Sequence, residues 1–276
     1  MADPTYDTLR FDRHGTVGWL HLNRPEKLNA FTPLMWRELG ELGGNLRDDP
    51  DLRALIVIGE GRAFSSGIDT SVFSDQEPAD SVLGNGSARH PDPTVAAILA
   101  VQDSYSWLEE APYVTIAAVH GYAFGAGLQL ALACDIRVLA RGTRLGLLEH
   151  QYGIIPDLGG TQRLPRLVGP GKALQLITTA ARIDADEAER IGLAEMLVSE
   201  DDVETTAAGL AETIAAQPPL AVRAAKRAVR AAVSGLTVRE GLVVEAEGQA
   251  GCLRSDDMRE AITAFVEQRP PVYQGR

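Results

Sequence analysis

Two stretches of this chain set a glycine-rich turn directly after an apolar run: IVIGEGRAFSSGID (56–69) and AAVHGYAFGAGLQL (117–130). Glycine lets a backbone pass close to a ligand and adopt dihedral angles that other residues avoid. Where such a turn opens into a helix, the first N–H groups lack intrahelical partners and carry a partial positive charge. Two such turns brought together aim two backbone donors at one oxygen. That arrangement stabilises a carbonyl on its way to an enolate or a tetrahedral anion. Other glycine-dependent sites do not fit. A dinucleotide site needs G-x-G-x-x-G and a P-loop needs G-K-[ST] after its glycines. A hydrolase nucleophile elbow needs G-x-S-x-G, which AFSSGID lacks. One glycine turn alone would signify only tight packing; the repeated design points to a site.

Acid–base candidates lie downstream. Gln129 is the one polar side chain near the start of the apolar run after the second turn. A carboxamide donates and accepts hydrogen bonds but exchanges no protons near neutral pH. Glu149 follows the apolar LGLL, and desolvation there would raise its pKa and suit it to act as a base; the plainer reading is an exposed loop glutamate. Asp157, in IPDLGG, is either a second carboxylate of the site or the N-cap of the helix beginning LGGTQRL. His120 and His150 are candidate acids by chemistry alone. Cys134 and Cys252 have no CxxC partners, which removes zinc and redox-motif readings. Cys134 sits in an apolar run and reads as a small buried hydrophobe.

The elements that must position these groups alternate in type. TVGWLHLN (16–23), LRALIVI (52–58), YVTIAAVHG (113–121) and DIRVLA (135–140) read as strands. Thr32 and Pro33 announce a helix running to about Leu46, with Thr32 as N-cap and Pro33 at its first position. Strands alternating with helices imply an α/β architecture. Residues 74–94, rich in Ser, Asp, Pro and Gly, read as a mobile loop or insertion. From Asp184 onward helical patterns dominate: DVETTAAGLAETIAAQ, LAVRAAKRAVRAAV, REGLVVEAEGQAGCL and DDMREAITAFVEQR. The chain therefore divides into a core over 1–183 and a helical oligomerisation region over 184–276. It has 276 residues, 45% of them hydrophobic and 23% charged, with a net charge of −12. That charge argues against nucleic acid or an anionic membrane as a partner. The N-terminus has no signal-peptide core, and no apolar run approaches membrane-spanning length. A soluble, cytoplasmic protein is expected.

NRPEKLNAF, GRAFSSGID, VHGYAFGAGLQLALACDIRV and GIIPDLGGTQRLPRLVG, in this order and spacing, resemble the crotonase (enoyl-CoA hydratase/isomerase) superfamily over about residues 8–270. The resemblance implies a superhelix of β-β-α units with a helical C-terminal region that drives assembly into a homotrimer or a hexamer of two trimers. It implies an acyl-CoA thioester substrate, with coenzyme A as part of that substrate and no metal or prosthetic group. The two oxyanion donors would be the N–H groups of Ile68, after Gly67, and Ala126, after Gly125. Lys27, Leu28, Ala30, Ser65, Ser66 and Asp69 correspond to the coenzyme A site. Lys27 could meet the phosphates as a point charge or be a solvated surface lysine. Asp69 reads better as a local cap than as a chemical group.

Hydratases of that superfamily place two glutamates around the substrate; the corresponding positions here are Gln129 and Glu149. With no second acid to hold and activate water, the resemblance favours a 1,3-proton shift by Glu149 alone, as in single-glutamate enoyl-CoA isomerases. Dienoyl-CoA isomerases carry an aspartate at the place of Asp157, but another at the place of Gln129. Hydration with Gln129 orienting water, and an acyl-CoA-binding protein without catalysis, are the alternatives.

Overall fold

The computed structural model describes residues 6–73 and 90–276. Its elements run β1 (Leu9–His14), β2 (Val17–Leu22), α1 (Pro33–Leu46), β3 (Ala54–Gly59), α2 (Pro93–Glu110), β4 (Val114–Val119), β5 (Tyr122–Phe124), α3 (Ala126–Ala133), β6 (Ile136–Ala140) and β7 (Arg144–Gly146). They continue as α4 (Gly160–Val168), α5 (Pro170–Thr179), β8 (Ile183–Asp184), α6 (Ala185–Arg190), β9 (Met196–Val198), α7 (Val203–Ala215), α8 (Pro219–Val233), α9 (Val238–Arg254) and α10 (Asp256–Glu267).

A six-stranded sheet has the order β1-β2-β3-β4-β6-β9, and a small sheet has the order β5-β7-β8. Only β1 is antiparallel in the large sheet. From β4 to α5 the chain makes one move twice, a strand in the large sheet, a strand in the small sheet, then helix, and afterwards β8 of the small sheet precedes β9 of the large one. Segment 60–73 joins the same pattern, since Ser65 forms an isolated parallel bridge with Ala123 of β5. This is the superhelix of β-β-α units that the motifs implied.

Side-chain alternation explains the layers. Along β3, Leu55 and Val57 face the larger core with Trp36, Leu39 and Leu42 of α1, while Ala54, Ile56 and Ile58 face a second core. There α7 lays down Val203, Ala207, Ala211 and Ala215, one small residue every four. Helix α1 starts as its sequence dictates: the Thr32 side chain accepts from the Met35 N–H, with Pro33 in the first turn.

Three expectations need correction. Helical character does not take over at residue 184, because β9 forms an edge of the large sheet and α7 seals its outer face. The boundary drawn between 183 and 184 thus falls inside the core. The first glycine turn opens into a 3-10 helix at Thr70–Phe73, not directly into an α-helix, and this stretch of described residues ends there. The loop expected over 74–94 lies mostly outside the described residues, and Pro93 and Thr94 already belong to α2. Asp92 caps that helix, accepting from the N–H groups of Thr94 at 2.9 Å and Val95 at 3.2 Å. No helix among the described residues is long and apolar enough to cross a membrane.

Candidate active site

The first turn is held from both sides. Asn29, fully buried, donates to the carbonyls of Glu60 (2.9 Å) and Ala63 (2.8 Å). Ser65 donates its N–H to the Tyr122 carbonyl and accepts from the Phe124 N–H, which ties the turn to β5. On the other side the Phe31 N–H donates to the Gly67 carbonyl at 2.7 Å, and the Asp69 N–H donates to the Phe31 carbonyl at 2.9 Å. A trans peptide points its N–H opposite to its C=O. With the Gly67 carbonyl turned toward Phe31, the Ile68 N–H of the same peptide faces the other way. Gly67 has φ +104°, a conformation that side chains resist.

The second turn follows the same logic. Gly125, at φ +48°, is the N-cap of α3, and its carbonyl accepts from the Gln129 N–H at 3.0 Å. The Ala126 N–H of that peptide therefore points back out of the helix, as first-turn N–H groups do. The turns lie against each other. A side chain on Gly127 would sit 2.6 Å from Ser65 Cβ, and one on Gly67 would sit 3.9 Å from the Ala126 nitrogen. Both N–H groups thus belong to neighbouring turns on one wall.

Gln129 projects from α3 and is 1% exposed. Its Nε2 donates to Glu149 Oε1 at 2.8 Å, and its Oε1 accepts from the Gly160 N–H at 2.9 Å. The Gly160 donor fixes which end of the amide meets the glutamate. Glu149 opens a 3-10 helix, Glu149–Tyr152, and is 8% exposed. Its second oxygen, Oε2, is buried with no hydrogen-bond partner among the described residues. Burial pushes the Glu149 carboxyl above the usual carboxylate range; the Gln129 bond opposes this, and the nearby charge of Asp157 adds to it. Burial likewise raises Asp157. The capping role considered for Asp157 does not hold: Gly159 is the N-cap of α4 with no side-chain cap bond, and the Gly160 N–H is taken by Gln129.

A cavity of about 710 Å³ gathers these groups. Ile68, Ala126, Gln129, Glu149 and Asp157 line it together with Lys27, Ala30, Ser66, Gly67, Asp69 and Gly125. Lys27 is exposed at its edge. Leu28 and Ser65 stand outside the lining. The Leu28 carbonyl accepts from the Ser66 N–H, and Ser65 Oγ donates to the Asn29 carbonyl, so both shape the turn. Asp69 accepts from the Ser71 N–H and hydroxyl and from Arg24, and the Ser71 hydroxyl bond leads in holding its carboxyl low. His150 is exposed, and His120 Nε2 lies 3.0 Å from the Gly61 carbonyl; neither lines the cavity. Apolar walls from Trp36, Ile98, Phe124 and Leu158 escaped sequence reading, since such residues look the same in a core. Among the described residues no group of three or more His, Cys, Asp or Glu could hold a metal ion. Cys134 is buried at the end of α3, and burial pushes its thiol up to about 12.

Two backbone N–H groups on neighbouring turns and a buried carboxylate thus line one cavity, carried by β-β-α units. A family model described as enoyl-CoA hydratase/isomerase matches residues 12–276, and the chain belongs to that family. It is 36% identical to a probable enoyl-CoA hydratase of Mycobacterium bovis over 272 residues, covering 99% of this chain and 100% of that one. It is 35% identical to a short-chain-enoyl-CoA hydratase of Clostridium acetobutylicum over 263 residues, covering 94% of each. The crystal structure of an enoyl-CoA hydratase from Bacillus anthracis superposes with a TM-score of 0.89 at 33% identity, covering 98% of this chain and 100% of that one.

Proposed function

We propose that this enzyme moves a double bond within an enoyl-CoA. The thioester oxygen sits against the N–H groups of Ile68 and Ala126. Glu149 Oε2 takes a proton from C2 of a 3-enoyl thioester, and the electron pair delocalises onto the thioester oxygen. The two donors carry that charge. Glu149 then returns the proton to C4, leaving the 2-enoyl thioester. Lys27, at the cavity edge, meets the coenzyme A phosphates as a point charge. The observation that carries this reading is the buried, unpartnered Oε2 of Glu149 beside a Gln129 whose amide is bonded at both ends.

Water addition to a 2-enoyl-CoA is the second reading, and the hydratase names of the relatives favour it. Asp157 would then be the second carboxylate beside the water. The absorbance of the conjugated thioester separates the readings when 3-enoyl- and 2-enoyl-CoA are supplied in turn. Isomerisation gains the chromophore from the first; hydration loses it from the second and yields 3-hydroxyacyl-CoA. Glu149→Gln should lower turnover by about 10²- to 10⁴-fold while acyl-CoA binding persists. Retained turnover would remove Glu149 from its role, and binding without turnover in the unaltered protein would leave a non-catalytic acyl-CoA binder.

A further inference from the structure

Two donors stabilise an oxyanion only if the gap between them is fixed, and three buried aromatic residues reach both. Phe31 holds the first donor through its backbone. Its N–H and C=O clamp Gly67 and Asp69, on either side of Ile68, in an isolated parallel bridge. The Phe31 ring packs edge-on against Tyr105 of α2, with centroids 5.5 Å apart, and stacks with Trp36 at 6.1 Å. Tyr105 holds the second donor: its hydroxyl donates to the Ala126 carbonyl at 3.1 Å and accepts from the Trp36 indole N–H at 3.4 Å. Phe31 and Tyr105 are both 0% exposed and Trp36 is 4% exposed.

We infer that Tyr105 and Phe31 are positioning residues that set the spacing of the oxyanion hole, through a chain running from the Ile68 segment, via the Phe31 and Tyr105 rings, to the Ala126 carbonyl. This rests on the assignment of the Ile68 and Ala126 N–H groups as the donors.

The physical case has three parts. Aromatic side chains have few rotatable bonds, so a packed ring is a stiff spacer. The carbonyl of a first-turn residue is already the acceptor of its own helix, so a second bond from Tyr105 is not needed to satisfy it. What it adds is a fixed orientation of the Ala126 residue. Burial pushes the Tyr105 hydroxyl well above its ordinary value, so it stays protonated and donating throughout the working pH range. The arrangement also ties the hole to Trp36, which lines the cavity itself. An acyl group pressing on the indole bears on the same three rings that space the donors.

Tyr105→Phe removes the hydroxyl and keeps the ring; Phe31→Leu removes the ring and keeps the clamping backbone. Each is measured for kcat, KM, Tm and the infrared carbonyl stretch of a bound, carbonyl-labelled acyl-CoA. In the unaltered protein binding should lower that frequency. Tyr105→Phe should lower kcat about tenfold with KM nearly unchanged, and should return part of the frequency shift. Phe31→Leu should do likewise, and the double variant should lose less than the product of the two single losses, since both act through one chain. A destabilising change without a positioning role lowers Tm and leaves the bound carbonyl frequency alone. The inference is overturned if either folded variant keeps the full frequency shift and kcat, or if the losses multiply. An unaltered protein that shows no frequency shift on binding would instead remove the donor assignment itself. Should Tyr105→Phe fail to fold, Phe31→Leu and Trp36→Phe carry the same readouts.

Discussion

In the proposed reaction the side chain that tunes the base is Gln129. Its amide donates to Glu149 while its oxygen accepts from the Gly160 N–H, so it cannot turn over to offer the oxygen instead. A donor on a carboxylate favours the charged form and lowers the pKa; burial works the other way and prevails. Glu149 works as a base only when ionised, so kcat/KM should fall as pH drops through its raised pKa. Gln129→Leu removes the donor, the charged form loses a bond, and that acid limb should move to higher pH. A pH–rate profile checks this; an unmoved limb would mean that the amide does not govern the base. Sequence alone carried much of this site. The glycines at 67 and 125 announced the two turns, because few other residues tolerate their φ of +104° and +48°. The Gln129–Glu149 bond was not legible from periodicity, since it joins an α3 side chain to a 3-10 turn twenty residues on. Asp157 stayed ambiguous because an aspartate before a helix is as good a cap as a catalyst. The Gly160 N–H, already taken by Gln129, removes the cap.

At the scale of elements, the site depends on how closely α3 lies against the first turn. Gly127 permits this: a methyl there would meet Ser65 Cβ at 2.6 Å and Ser65 backbone oxygen at 2.8 Å. Gly127→Ala should cost about 1–3 kcal/mol through overpacking, lower Tm, and weaken turnover by moving Ala126 from Ile68. Calorimetry and kinetics on the same preparation test both parts. Long, patterned elements were readable in advance, and α1 matched from its Thr32 cap to Leu46. Strands β5, β7, β8 and β9 have three residues or fewer, too short for any period to register. β1 was missed because it is an edge strand whose exposed positions carry Arg10, Arg13 and His14. The start of α2 hid in its own cap, since Asp92-Pro93 reads as a turn before it reads as an N-cap and first helical residue.

On the scale of the whole molecule, helices α8 to α10 present apolar side chains outward, including Val229, Val238, Phe265 and Val266, each more than 65% exposed. Patches of this kind mark contact surfaces. The resemblance implies that copies of the chain cover them as a homotrimer or two stacked trimers. Sedimentation of the purified protein should then report an assembly, and Phe265→Glu should lower its mass; a monomer at all concentrations would refute that assembly. The same body of structure leaves Glu149, which lines the cavity, only 8% exposed. A base so shut off trades hydrogen with bulk water slowly. Standing on one wall, it can also touch only one face of a planar dienolate. A substrate deuterated at C2 should therefore yield a product that keeps part of its label at C4, on the face from which it was taken: the reaction carries an isotopic memory.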